Sequence, residues 1–105
     1  MKSSSTPEIK LYCDEKIKFS LLDKIVKDIP KHYDSSAKLI TIDGVRLETE
    51  NFWFLLRASN TQNCIVFRLE HFVKEKFKSE LLKLILILKN YSLDIKELTN
   101  FNETV

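Results

Sequence analysis

The chain alternates between two hydrophobic periods. Residues 8–13, "EIKLYC", set Ile9, Leu11 and Cys13 against Lys10 and Tyr12, a period of two that predicts a strand. Asp14 is a residue type suited to cap a helix N-terminus. After it Phe19, Leu22, Ile25, Val26 and Ile29 recur at helical spacing, with Lys and Asp on the other side. Pro30 closes that helix. A loop at 32–38, "HYDSSAK", leads into "LITI" (39–42), "DG" (43–44) and "VRLE" (45–48). Asp-Gly between two β-rich runs predicts a tight hairpin, because a type I′ turn needs positive φ at both central residues. Gly44 is the one glycine of the chain, so its place in that turn matters.

Two aromatic and β-branched runs, "NFWFLL" (51–56) and "CIVFRLE" (64–70), predict two further strands, joined by "RASNTQN" (57–63). Alternation puts Phe52 and Phe54 on one face and Trp53 on the other. A long helix is expected over 73–90. Val73, Phe77, Leu81, Leu84, Leu88 and Tyr91 mark its apolar face, widened by Leu82, Ile85 and Leu86. Residues 1–7, "MKSSSTP", read as a polar tether. Residues 92–105 lose the period and read as a tail or a loose extra turn. The order β-α-β-β-β-β-α predicts an α+β fold: a two-layer sandwich with an antiparallel sheet of four to five strands and two helices on one face.

Composition narrows the function classes. The 105 residues suit one domain, and 44% hydrophobic with 30% charged residues is a globular, not a disordered, balance. The formal net charge of +2, with scattered lysines, lacks the basic footprint of a nucleic-acid or anionic-membrane binder. Cys13, Cys64, His32 and His71 are isolated, so neither metal-ligand spacing nor a disulfide framework is expected. The longest apolar stretch, "LLKLILIL" at 81–88, falls far short of the roughly 20 residues that cross a bilayer. The cytoplasm is the expected location.

Candidate chemistry concentrates in residues 57–63. Arg57, at a strand end, offers a planar fork suited to phosphate or carboxylate. Ser59 and Thr61 bring hydroxyls, Asn60 an amide, and a tight loop turns successive backbone N–H groups into an anion-binding concavity. The alternative is a plain polar connection, for which Ser, Asn and Thr are ordinary residues, with Arg57 paired to a neighbour such as Glu70. Both readings stay open on composition. No nucleophile stands beside a base, and a single glycine makes neither a P-loop nor a GxGxxG turn.

Three stretches then act together. "STPEIKL" (5–11), "TIDGVRLE" (41–48) and "LLRASNTQNCIVFRLE" (55–70), in this order and spacing, resemble the last domain of the α-D-phosphohexomutases. The resemblance covers roughly residues 4 to 90. "LRASNT" is most similar to the phosphomannomutase/phosphoglucomutase branch; phosphoglucosamine mutases usually carry glycine where this chain has Asn60. After the threonine the family pattern often continues with an acidic residue and proline. Here Gln62 and Asn63 stand there, which removes a rigid exit from the loop.

The resemblance implies a TATA-box-binding-protein-like fold that is the fourth domain of an enzyme interconverting hexose 1-phosphates and 6-phosphates. Residues 1–7 would be the interdomain linker, 8–91 the C-terminal phosphate-binding domain and 92–105 a tail. Arg57, Ser59, Asn60 and Thr61 would hold the phosphate that is not reacting. The phosphoserine and the Mg²⁺ site would belong to earlier domains, so this domain is expected to hold no cofactor and not to be catalytic alone. Its expected partners are the hexose phosphate or bisphosphate and the three preceding domains, with neither nucleic acid nor membrane. Two alternatives are a stand-alone α+β module for nucleic acid or protein, with Phe52, Trp53 and Phe54 as stacking candidates, and the same domain of a phosphoglucosamine mutase.

Overall fold

The computed structural model describes residues 3–105. Its strands are β1 (Ser4–Ser5), β2 (Ile9–Tyr12), β3 (Lys38–Ile40), β4 (Val45–Glu48), β5 (Phe52–Ala58) and β6 (Cys64–His71). Its helices are α1 (Lys18–Asp28), α2 (Lys74–Leu88) and α3 (Lys96–Glu103), with a 3-10 turn at Ile29–His32. All strands join one sheet, ordered β1-β6-β5-β4-β3, with β2 sharing the β6 edge, and every pairing is antiparallel. This is the α+β sandwich the periods predict, with one more strand segment and one more helix.

Alternation sorts the sheet into two faces. Val45, Leu47, Phe54, Leu56, Ile65, Phe67 and Leu69 are fully buried and form one cluster with Leu22 and Ile25 of α1 and Leu81, Leu84 and Leu88 of α2. The opposite face carries Arg46, Trp53, Arg57, Arg68 and Glu70, the alternate positions of the same strands. Trp53 is held there by Arg46, whose guanidinium lies 4.2 Å from the ring, and by Glu70, which accepts its indole N–H at 3.0 Å.

The structure departs from the sequence expectations at five places. The first is the tether. Ser4 and Ser5 pair with His71 and Glu70, so the sheet begins inside residues 1–7. The register then shifts: Thr6, Pro7 and Glu8 oppose only Arg68 and Leu69 before Ile9 meets Phe67. Pro7 has no N–H to give a ladder, and a bulge on an outer lane is where it does least harm. Thr6 repairs the gap: its hydroxyl accepts the Leu69 N–H at 3.1 Å.

The second is the tail. Residues 96–103 form α3, whose Leu98 is fully buried and whose Phe101 meets Phe77 edge-on. Asp94 also bridges to Tyr12 at the free side of β2. A single leucine and a single phenylalanine seat this short helix, too few to register as a period. The third is the start of α1. Asp14 caps a preceding turn through the Lys16 N–H at 2.8 Å, and α1 begins only at Lys18.

The fourth is the width of the two stripes. Phe19 is 62% exposed and Leu21 takes the buried place on α1, while Leu82 and Leu86 of α2 face outward. The fifth is the hairpin. Lys38, Leu39 and Ile40 face Glu48, Leu47 and Arg46, so the connection is longer than the two residues of a minimal Asp-Gly turn. Leu39 thereby stands opposite the buried Leu47, and Ile42 is driven out to 81% exposure. Asp43 and Gly44 both keep the positive φ expected of them, at 58° and 132°.

Candidate functional site

Strand β5 runs two residues further towards the connection than its apolar run suggests, while β6 begins at Cys64 as expected. Arg57 pairs with Val66 and Ala58 with Ile65, and the loop proper is Ser59–Asn63. Arg57 is therefore a strand residue, backed by a ladder on β6. Its side chain is exposed and forms no ion pair among the described residues. The pairing with Glu70 considered from sequence does not occur: Glu70 receives the Trp53 indole and the Ser3 hydroxyl. Those two bonds hold its carboxyl below the usual carboxylate range, that from Ser3 foremost.

Gly44 packs against the backbone that carries Arg57. A Cβ added there would lie 2.1 Å from the Leu56 carbonyl oxygen and 2.9 Å from the Arg57 Cα. At φ 132° a side chain would also be strained. The Asp-Gly turn, the end of β5 and α1 together enclose a cleft of about 400 Å³. Asn60 and Asp43 stand among its polar walls, and Phe19 and Val26 among its apolar ones; Arg57 borders it at the end of β5, where strand alternation turns its side chain to the opposite face of the sheet.

The loop is organised from within by Ser59. Its hydroxyl oxygen accepts the backbone N–H groups of Thr61 at 3.3 Å and Gln62 at 3.2 Å, and lies 3.5 Å from the Thr61 hydroxyl. Two of the N–H groups that a nest would offer to an anion are thus turned onto a side chain of the loop itself. The hydroxyl protons of Ser59 and Thr61 remain able to donate. The four residues singled out from sequence therefore divide. Arg57 and Asn60 border the cleft, while Ser59 and Thr61 share one internal hydrogen-bonded turn.

The loop exit, which lacks proline, is fixed by other means. The Asn63 carbonyl accepts the Cys13 N–H at 3.0 Å, continuing the β2–β6 ladder. The Ser59 and Gln62 carbonyls both accept from the Lys18 ammonium, at 2.8 and 3.1 Å. Lys18 is only 6% exposed. Sequence reasoning passed over it, although a signal was present: Lys18 precedes Leu21, Leu22 and Ile25 by three, four and seven residues, the spacing of the buried stripe. Cys13, beside this junction, has its thiol pushed up by burial.

Fold and loop together define a small α+β domain that presents a hydrogen-bonding loop and a free arginine at one end of an antiparallel sheet. Residues 8–84 match the family described as phosphoglucomutase/phosphomannomutase, C-terminal domain, and the chain belongs to that family. A phosphomannomutase/phosphoglucomutase of Pseudomonas putida is 38% identical over 86 residues, 75% of this chain and 18% of the relative. A probable phosphoglucosamine mutase of Pyrococcus abyssi is 36% identical over 70 residues, 67% of this chain and 15% of that protein. Among solved structures, a phosphoglucomutase/phosphomannomutase family protein of Burkholderia thailandensis superposes with a TM-score of 0.55 at 26% identity. That match covers 98% of this chain and 18% of the other. The chain thus spans less than a fifth of the length of these relatives.

Proposed function

We propose that this chain serves a phosphohexomutase of the phosphomannomutase/phosphoglucomutase branch as the domain that grips the non-reacting phosphate of a hexose phosphate. Arg57 clamps phosphate oxygens through its planar fork. Asn60 adds an amide at the cleft, and Ser59 and Thr61 donate their hydroxyl protons. The observation that carries this reading is the exposed Arg57 guanidinium, without an acidic partner among the described residues, beside a loop whose backbone is already held in place.

Such a grip acts by positioning. Binding energy from the remote phosphate orients the reacting end of the sugar, and a loop fixed beforehand loses little entropy when it closes. Closing this domain over the sugar also keeps water from the transferring phosphoryl group. The preceding domains of the same enzyme supply the transfer itself.

The test joins this chain to the three preceding domains of a phosphomannomutase/phosphoglucomutase and compares wild type with Arg57→Ala. Loss of charge-assisted bonds predicts a fall in kcat/KM of about 10- to 100-fold. Unaltered kinetics would sink the assigned role. Running mannose, glucose and glucosamine phosphates side by side tests the branch, which Asn60 in place of glycine favours.

A further inference from the structure

The structure assigns Lys18 as the positioning residue of the 59–62 loop, an inference that rests on the phosphate-binding reading above. An ammonium taken out of water is costly unless it is well bonded, and the ordinary solution is a carboxylate partner. Lys18 has none among the described residues. Its bonds go instead to two neutral carbonyls, those of Ser59 and Gln62, and its ammonium lies 5.1 Å from the centre of the Phe19 ring.

The fold itself gains little from this arrangement. Leu21, Leu22 and Ile25 already seat α1 on the sheet, and an apolar chain in place of Lys18 would continue their stripe. What the ammonium does is join both ends of the Ser59–Gln62 turn. The Ser59 hydroxyl gathers the N–H groups of that turn, and Lys18 gathers its carbonyls. The backbone is thus held from both sides, and Asn60 and Thr61 are presented outward from a fixed frame. This also accounts for a loop exit that holds without proline at Asn63. The charge has a second consequence. An uncompensated cation directly behind the loop favours an anion in front of it.

The experiment uses the chain with Lys18→Met, Lys18→Gln and Lys18→Arg, and reads two things. Amide hydrogen exchange at Thr61 and Gln62 reports loop order, with Phe54 and Leu69 as core controls. Amide shifts on titration with glucose 6-phosphate report binding. In Lys18→Met we expect unchanged core protection, loop exchange faster by about tenfold or more, and glucose 6-phosphate affinity lower by a similar factor. Lys18→Arg should restore loop protection and most of the affinity. Lys18→Gln, which keeps donors but no charge, should restore less affinity than loop protection.

Unchanged loop exchange in Lys18→Met overturns the assignment. So does a loss confined to the core, because a merely structural lysine would show that pattern. If Lys18→Met fails to fold, faster loop exchange in Lys18→Gln supports the assignment and wild-type exchange overturns it. Faster loop exchange without any response to glucose 6-phosphate still supports the staple, whereas unaltered kinetics of Arg57→Ala in the joined enzyme removes the phosphate reading, so the two failures are distinguishable.

Discussion

Gly44 lies against the Cα of Arg57, close enough that a Cβ on the glycine would stand 2.9 Å from it. A hairpin turn from one part of the sheet thereby sets the backbone position of the arginine at the end of another. Gly44→Ala should destabilise the chain by about 2–4 kcal/mol, since positive-φ strain and a backbone collision add. Urea unfolding measures the loss. The amides of Leu56 and Arg57 should show the largest shift changes. An Ala variant with wild-type stability would mean that the turn yields freely.

Ser59 and Thr61 should differ sharply in their structural effect. Ser59→Ala removes the acceptor of two backbone N–H groups and should cost about 1 kcal/mol, with faster amide exchange at Thr61 and Gln62. Thr61→Val removes a hydroxyl whose one contact in the loop is the 3.5 Å approach to the Ser59 hydroxyl and should leave those amides protected. Equal effects from the two variants would contradict the internal turn described for this loop.

Removing the buried side chain of Leu98 tests whether α3 belongs to the core. Leu98→Ala should cost about 2–4 kcal/mol, the usual range for a fully buried leucine. Truncation before residue 96 should also raise amide exchange along β2, which α3 covers. A variant as stable as wild type would return residues 92–105 to the status of a tail.

His71 makes stability depend on pH. It is 3% exposed, stacks on Phe52 at 5.4 Å, and accepts the Val73 N–H on Nδ1 at 3.0 Å. Burial pulls its pKa below the ordinary 6.5, with Glu80 opposing and Lys76 assisting. The unfolded chain therefore takes up the proton first. The contribution is complete above pH 6.5 and is lost as pH falls through the depressed folded value, at no more than about 1.4 kcal/mol per pH unit. Urea midpoints should drop between pH 7 and 5. His71→Phe, which cannot titrate, should flatten that part of the profile, and an equally steep slope in the variant would assign the effect elsewhere.

Much of this molecule is legible in local pattern. Ile9, Leu11, Phe54 and Phe67 point inward because a strand alternates, and Ile25 and Leu84 do so because a helix turns every 3.6 residues. Those periods determine the number and order of the main elements and hence the α+β sandwich. The resemblance carried by "TIDGVRLE" and "LLRASNTQNCIVFRLE" likewise marks the family in the sequence alone. Arg57, Ser59, Asn60 and Thr61 were readable as chemistry, because side-chain type alone says what each can donate.

Only the tertiary structure decided how those groups are held. Lys18 is 41 positions from Ser59, and Gly44 meets Arg57 across the β4–β5 pairing. Hydrogen bonds and close approaches between segments distant in sequence leave no periodic trace in either one. The same holds for β1 and α3, which are too short to display a period and exist because β6 offers a free ladder and β2 a face to cover. Local propensity determines which elements form; burial of their apolar faces, and the pairing of buried polar groups such as the Lys18 ammonium, decide which ones touch.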